Sequence, residues 1–103
     1  MSPDGAKSWR FVDTGLNSGP FNIALDQVLL QSEASSGSVF TLRVYGWRPA
    51  GLSLGYFQRI ESGVMDRCRV RGIDVVRRLT GGRAVLHDRE LTYSVTGSVG
   101  GLL

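Results

Sequence analysis

The chain has 103 residues, of which 42% are hydrophobic, 20% charged and 9% aromatic. This length allows one small domain, and the composition excludes a disordered acidic or basic tail. No run approaches the ~18 consecutive apolar residues of a membrane span. The first ten residues carry Asp4, Lys7 and Arg10 without an apolar core, so we expect no secretory signal. A single cysteine, Cys68, excludes an internal disulfide and predicts a reducing, cytoplasmic location.

The net charge of +3 lies entirely in the second half of the chain, where residues 52–103 carry eight arginines against five acidic residues. The guanidinium fork of arginine matches phosphates and carboxylates, so an anionic ligand is one interpretation and nucleic acid another. The aromatic residues are not interleaved with the arginines as a base-stacking surface requires, and we therefore predict no nucleic-acid partner. Fourteen glycines indicate positions with positive φ or close backbone approach.

The pattern of apolar residues, turn residues and glycines predicts the secondary structure. In chain order, we predict a polar disordered start (1–8), a strand (9–13), a turn (14–19), a helix from Pro20 to about Ser32, a strand (39–47), a turn (48–51), a returning strand (52–56), a helix (61–71) capped by Ser62 and ended by Gly72, a strand (73–76), a loop (77–83), a strand (84–87), a charged turn (88–90) and a last strand (91–95).

Two of these elements have clear periodicity. In the first helix, one apolar stripe is formed by Phe21, Ala24, Leu25, Val28 and Leu29. In the strand 39–47, Phe40, Leu42 and Val44 point one way while Thr41, Arg43 and Tyr45 point the other. The order of elements predicts an α+β fold, a mixed or antiparallel sheet with two helices packed on it.

The loop from Arg77 to Arg83 is the stretch most suggestive of a binding site. The paired glycines Gly81 and Gly82 let a backbone approach a ligand closely, and the arginines supply charged donors for a phosphate or carboxylate. The sequence lacks both the P-loop and the G-x-G-x-x-G patterns. An anion site and a tight hairpin with solvated arginines therefore stay equally open.

The other reactive residue types point to structural roles. His87 and Asp88 are adjacent, and neighbours on a strand point to opposite faces, so a side-chain dyad is disfavoured and a structural histidine preferred. Cys68 lies on the apolar face of the second predicted helix, which indicates packing rather than nucleophilic chemistry. With no second histidine or cysteine, we predict no metal site.

Four ordered motifs together resemble the biotin/lipoate protein ligase and octanoyltransferase superfamily, and they cover residues 9–96. The motifs are Trp9–Gly15, Phe21–Asp26, Tyr45–Pro49 with Leu52–Gln58, and Arg77–Asp88 with Glu90–Ser94. Within the superfamily, the chain is most similar to the octanoyltransferase branch that resembles lipoate ligases. Ligases usually have a third glycine where this chain has Arg83. The resemblance implies the N-terminal part of the ligase catalytic domain fold, with 97–103 as an irregular end.

The resemblance also implies which residues form the site. An extended acyl chain and its activated head group would lie along the arginine and glycine loop, with Val85, Tyr56 and other aromatics walling an apolar tunnel, and His87 and Asp88 fixing the loop. The substrate-binding residues that it implies are Arg77, Arg78, Thr80, Gly81, Gly82, Arg83, Ala84, Val85, Leu86, His87 and Asp88.

The superfamily places its lysine, and this branch its nucleophilic cysteine, downstream of the His-Asp motif. Neither Cys68 nor Lys7 occupies such a position, so we expect no catalytic residue in this chain and little transfer by the chain alone. The resemblance implies octanoyl transfer from acyl carrier protein to a lysine of a lipoyl domain of 2-oxoacid dehydrogenases or the glycine cleavage protein. That reaction needs no cofactor. The alternatives are a lipoate or biotin ligase, which needs ATP and Mg²⁺, and a non-catalytic acyl-binding module.

Overall fold

Two three-stranded sheets and two helices make up the fold. The computed structural model describes residues 8–36 and 39–97, and the predicted α+β class with mixed sheets is confirmed. The elements are β1 (Ser8–Asn17), α1 (Gly19–Ser36), β2 (Val39–Trp47), β3 (Gly51–Leu54), α2 (Ser62–Val70), β4 (Asp74–Arg77), β5 (Val85–His87) and β6 (Thr92–Thr96). Within the described ranges, no helix is long and apolar enough to cross a membrane.

Both sheets combine a parallel pair, joined by a crossover helix, with one antiparallel strand. The first sheet has the order β1-β2-β6 and the second has the order β4-β3-β5. In the first, β1 runs parallel to β2 and β6 antiparallel to it; in the second, β4 runs parallel to β3 and β5 antiparallel. The prediction that β3 returns along β2 is wrong, because β1 and β6 already occupy both hydrogen-bonding edges of β2.

Two predicted boundaries are also wrong. The turn predicted at 14–19 is mostly strand, because β1 continues along its parallel partner to Asn17 through a register shift between Asp13 and Gly15. Gly15 has a φ of 70° there, which a glycine adopts without steric cost. Helix α1 reaches Ser36 instead of ending near Ser32, since serine is only mildly less helix-favouring than alanine.

Helix α1 starts as predicted but buries a different face. Pro20 lies in its first turn, and the Ser18 hydroxyl accepts a hydrogen bond from the backbone N–H of Phe21 at 3.3 Å. The predicted apolar stripe is not the buried face, because Phe21 and Val28 are 48% and 57% exposed while Asn22 is fully buried. Polar side chains of α1 therefore face the first sheet.

The first sheet presents its polar face to α1. Thr41, Arg43 and Tyr45 are buried on β2, on the same side as the inward residues of α1. On the opposite side, Leu42 and Val44 face Val95 and Tyr93 of β6 across the ladder, and Tyr93 is 70% exposed. The alternation predicted the strand correctly, but it is the polar half of the pattern that α1 covers.

The apolar core lies where the two sheets meet. Tyr45 and Trp47 from β2 pack with Val76 from β4, and Ile23 from α1 packs against them. On helix α2, Cys68 is buried, so its predicted burial is confirmed.

The ends of α2 differ in how well they match the prediction. Its N-cap residue is Glu61, so the predicted Ser62 cap is wrong; the extended backbone of Glu61 places Ser62 inside the first turn. At the other end, Gly72 has a φ of 68°, and the following N–H of Ile73 reaches back to the carbonyl of Cys68 at 2.9 Å. This is the geometry of a glycine-terminated helix, so the predicted ending is confirmed.

Candidate functional site

A cavity of about 390 Å³ lies where α1, the first sheet and the loop after β4 meet. Its volume falls in the range of about 300–1,000 Å³ that small-molecule sites occupy. The lining residues come from α1 (Ile23, Asp26, Leu30), β2 (Tyr45, Trp47), the second sheet (Ser53, His87), the loop (Arg78, Leu79, Thr80) and the β6 segment (92–97). The site therefore needs both sheets and the loop that the sequence singled out.

Trp47 connects the two sheets beneath this cavity. Its indole N–H donates a hydrogen bond to the hydroxyl of Thr92 at 2.9 Å. The indole also stacks on the His87 ring, with centroids 4.1 Å apart and planes within 10°. Since Trp47 is only 6% exposed, these contacts hold the end of β2 rigidly against β5 and the start of β6. The cavity floor is thus a fixed aromatic surface.

A buried charge cluster forms the α1 side of the site. The Arg43 side chain is fully buried; it donates to the Asp26 carboxylate and the Asn22 backbone carbonyl, each at 2.9 Å, and to the Asn22 side-chain oxygen at 2.7 Å. Its guanidinium also lies 3.7 Å from the centroid of the Tyr45 ring, a cation–π contact. Every one of these donors points at an oxygen or a ring, so the charge is compensated within the chain.

Tyr45 and Ser94 complete this cluster on the cavity side. The Tyr45 hydroxyl donates to Asp26 at 3.3 Å, and the Ser94 hydroxyl donates to Asp26 at 2.8 Å. Burial, together with the nearby Asp26 charge, raises the pKa of Tyr45 to about 12. The phenol therefore stays protonated at neutral pH and serves as a hydrogen-bond donor.

Arg77 and Arg78 both bind backbone carbonyls of this chain. Arg77 Nη1 donates to the carbonyls of Gly55, Tyr56 and Gln58 at 2.6–3.0 Å. Arg78 donates through Nη1 to the Ser53 carbonyl and hydroxyl, and through Nη2 to two carbonyls of its own loop. In this conformation the two guanidinium groups hold the loop in place and are not directed at a free anion site.

The two glycines of the loop have different roles. Gly82 has a φ of 94°, and its carbonyl lies so close to Gly55 that a side chain at Gly55 would collide with it. Gly81 has no positive φ, and a Cβ there would meet no atom within 4 Å. Gly82 therefore lies close to the backbone at Gly55, just after β3, and the expected approach of this loop to a ligand stays a prediction.

His87 binds Glu90 and Ser53, whereas Asp88 beside it is exposed. The His87 side chain is buried, with Nε2 2.7 Å from the Ser53 hydroxyl and Nδ1 3.0 Å from the Glu90 carboxylate. Burial opposes ionisation of Glu90, but hydrogen bonds from His87 and Thr92 outweigh it and hold the pKa of Glu90 below its ordinary value. The expected structural role of the histidine agrees with this geometry.

The structure separates the expected site residues into two groups. Arg78, Thr80 and His87 line the cavity. Among the described residues, the lining includes neither Val85 nor Tyr56, which were expected to wall it. The remaining expected residues are also absent from the lining: Arg77 ends β4, Gly81, Gly82, Arg83 and Ala84 lie in the loop, Leu86 lies in β5, and Asp88 follows β5. Lys7 lies outside the described residues.

Several lining residues were not expected from the sequence as members of the site. Ser53, Leu79 and Asp26 are the clearest examples. The sequence offers one indication for Ser53, since it is a lone polar residue between two leucines on a short strand. Asp26 lies one turn after Asn22 on α1. Only the structure shows that both bind Arg43 on the covered polar face of β2.

The model of the lipoyl protein ligase A/B catalytic domain family matches residues 18–99. The chain belongs to this family. Among curated relatives, this chain is 51% identical over 88 residues to the octanoyltransferase LipM of Anoxybacillus flavithermus, covering 84% of this chain and 32% of that protein. It is 47% identical over 91 residues to the LipM of Moorella thermoacetica, covering 87% and 33%. The chain thus spans about a third of the length of these relatives.

Solved structures agree with the family assignment. A lipoate-protein ligase A bound with ATP superposes with a TM-score of 0.66 at 28% identity, covering 87% of this chain and 36% of that one. A bi-partite lipoate protein ligase from Thermoplasma acidophilum, studied with its E2 lipoyl domain, gives a TM-score of 0.63 at 28% identity, covering 86% and 35%. Both structures support the assignment of this fold to the N-terminal part of a lipoyl ligase A/B catalytic domain.

Proposed function

We propose that this chain forms the acyl-binding part of an octanoyltransferase, which moves an octanoyl group from acyl carrier protein to a lysine of a lipoyl domain. The observation that carries the proposal is the cavity at the junction of the two sheets, lined by Ile23, Leu30, Trp47 and Leu79. These side chains offer an apolar surface to an eight-carbon chain, and the identity of 44–51% to octanoyltransferases supports that choice of acyl group.

In this proposal the apolar and polar sides of the cavity have separate roles. The octanoyl chain packs against Ile23, Leu30 and Trp47, where each buried methylene contributes about 0.8 kcal/mol. The thioester end faces Arg78 and Thr80 in the loop, so the expected substrate-binding residues 77–88 shape that end of the site. The acyl donor is the phosphopantetheine thioester of acyl carrier protein, and the acceptor is the lysine of a lipoyl domain.

The chemistry of transfer requires a nucleophile that the described residues do not supply. Attack on a thioester needs an accessible, activated thiol or its equivalent. Cys68 is buried on α2 and does not line the cavity. We therefore propose that this chain by itself binds the acyl group and transfers little of it, and that octanoyl transfer needs no cofactor.

Binding of octanoyl-pantetheine, measured by isothermal titration calorimetry, tests the acyl site. Hexanoyl-pantetheine should bind about tenfold more weakly, because two methylenes contribute about 1.6 kcal/mol. Leu79→Asp places a charge in the cavity wall and should weaken octanoyl binding at least about tenfold. Leu91→Asp is the matched control, since Leu91 is 77% exposed and lies outside the cavity lining. Equal affinity for acetyl- and octanoyl-pantetheine would contradict the proposal.

A second assay tests the activity. The chain is incubated with octanoyl-acyl carrier protein and a lipoyl domain, and the lipoyl lysine is analysed by mass spectrometry. We expect little or no octanoylation, and rapid acylation would refute the role given to this chain.

A lipoate ligase is the second candidate, because structural neighbours include a lipoate-protein ligase bound with ATP. That function requires ATP and Mg²⁺ at the same loop. Lipoate-dependent exchange of pyrophosphate into ATP, in a protein that contains this chain, would favour the ligase; its absence alongside octanoyl binding would favour the transferase.

A further inference from the structure

A hydroxyl, an imidazole and a carboxylate from three places in the sequence form one hydrogen-bonded chain. Ser53 on β3 lies 2.7 Å from His87 Nε2 on β5, and His87 Nδ1 lies 3.0 Å from Glu90 in the turn that follows. The same order of groups forms the nucleophilic triad of many acyl-transfer enzymes. The distances alone therefore raise the question of whether Ser53 is a nucleophile.

Two observations exclude that role for Ser53 in this conformation. The residue borders the cavity but is itself fully buried, so its oxygen is not exposed to a thioester carbonyl. In addition, Arg78 Nη1 lies 2.7 Å from that oxygen, and a guanidinium only donates hydrogen bonds. One lone pair of the Ser53 oxygen thus accepts a hydrogen bond from Arg78, which lowers the nucleophilicity of that oxygen. Ser53 is a link in a network and not its reactive end.

The direction of the hydrogen bonds follows from Glu90. An ionised carboxylate only accepts, so His87 Nδ1 carries the proton and donates to Glu90. The Nε2 of a neutral imidazole then accepts from the Ser53 hydroxyl, and the Ser53 oxygen in turn accepts from Arg78. Thr92 donates to the same Glu90 oxygen at 2.6 Å, which keeps that carboxylate an acceptor.

The other end of the network holds the loop that walls the cavity. Besides Ser53, Arg78 binds the carbonyl of Gly81 at 2.9 Å and that of Arg83 at 2.8 Å through Nη2. These two carbonyls flank Gly82 with its positive φ. The orientation of the Arg78 guanidinium therefore fixes the conformation of the loop on both sides of its tightest point.

We propose that Ser53, His87 and Glu90 are positioning residues that act through Arg78. His87, in the tautomer protonated at Nδ1, orients the Ser53 hydroxyl so that it accepts from Arg78, and Arg78 then holds the loop 79–83 in the shape that walls the acyl cavity. The significance for acyl binding rests on the proposed function, whereas the hydrogen-bond network and the loop conformation do not.

The tautomer is directly observable because His87 is the single histidine of the chain. The 103-residue chain is labelled with ¹⁵N-histidine, and long-range ¹H–¹⁵N correlations are recorded at pH 8, above the ordinary imidazole pKa of about 6.5. We expect a pyrrole-type shift at Nδ1 and a pyridine-type shift at Nε2. The reverse assignment, or the averaged shifts of a freely exchanging imidazole, overturns the proposal.

Limited digestion with trypsin reports the loop. Cleavage after Arg83 requires the loop to open, whereas Arg71, in the exposed turn after α2, serves as an internal reference. Ser53→Ala should accelerate cleavage after Arg83 about tenfold, because it removes an acceptor of Arg78, with no change at Arg71. His87→Ala should act in the same way, and His87→Gln, which keeps an acceptor near Nε2, should restore slow cleavage.

Three outcomes would overturn the positioning role: equal acceleration at Arg83 and Arg71, no acceleration at either site, or octanoyl-Ser53 after incubation with octanoyl-pantetheine. The tautomer and the digestion need no bound ligand. If the tautomer and the digestion agree with the proposal while octanoyl-pantetheine fails to bind, the proposed function fails and the positioning network stands.

Discussion

Removing the carboxylate of Asp26 should destabilise the chain because it leaves the charge of Arg43 buried without a counterion. Arg43 is fully buried and Asp26 is 26% exposed, with 2.9 Å between them. Breaking a buried ion pair from one side costs about 3–5 kcal/mol. Partial access of water to Asp26 places Asp26→Ala at the lower end, a loss of about 3 kcal/mol.

This loss is large against the stability expected for a chain of this size, about 5–15 kcal/mol. Urea unfolding followed by tryptophan fluorescence measures it, since Trp47 is buried beside the cluster. Asp66→Ala is the matched control, because Asp66 pairs with Arg69 on the surface with both side chains more than half exposed; its cost should stay below about 1 kcal/mol.

A double-mutant cycle identifies the physical cause. Arg43→Met removes the buried charge itself, so in that background Asp26→Ala should cost at least about 1.5 kcal/mol less than in the native chain. If Asp26→Ala costs no more than Asp66→Ala, or if the two changes at the cluster are additive, the charge of Arg43 is not compensated by Asp26 and the reasoning is refuted.

The remaining predictions concern the phenol, the loop and the carboxylate of the His87 network. Tyr45 should ionise near pH 12 in the folded chain, as measured by absorbance at alkaline pH. Because its pKa is raised above the ordinary 10.0, its contribution to stability, about 2–3 kcal/mol, is complete below pH 10 and is lost as the pH rises to 12. Tyr45→Phe should abolish that loss. Gly82→Ala should cost about 1–2 kcal/mol in urea unfolding because of its φ of 94°, while Gly81→Ala should be neutral, and equal costs would contradict the roles assigned to the two glycines. The pKa of Glu90 is lowered, so its contribution is present above the ordinary glutamate pKa and is lost as the pH falls through the folded value; Glu90→Gln should therefore flatten the acid side of a thermal-denaturation profile, and an unchanged profile would count against the His87–Glu90 bond.

The sequence predicted the helices and strands correctly, but not which strands pair with each other. Every predicted strand and helix has a counterpart in the structure, because alternation, glycine and proline act locally. The placement of β3 was wrong since pairing depends on which edges are free, and both edges of β2 are taken by strands distant in sequence. For the same reason, the long register of β1 against β2 was not readable from residues 14–17 alone.

In the candidate site, too, the sequence identified the segment but not the partners of its side chains. The loop 77–83 was identifiable because glycines and arginines are concentrated there. That Arg77 and Arg78 bind carbonyls of this chain was not identifiable, since the acceptors at Gly55, Tyr56 and Ser53 come from another part of the sequence. Charge type alone does not distinguish an arginine that binds a ligand from one that holds a loop.

The sequence by itself determined the order of elements, the ending of α2 at Gly72, the burial of Cys68 and membership of a superfamily through four ordered motifs. Only the tertiary structure decided which face of α1 is covered, because Asn22 and Asp26 face the sheet and bind Arg43, a residue of a strand beyond the helix. It also decided that His87 pairs with Ser53 and Glu90 and not with Asp88. A polar group is satisfied by whatever partner the packed chain brings near it, and that depends on long-range contacts that local sequence patterns do not contain.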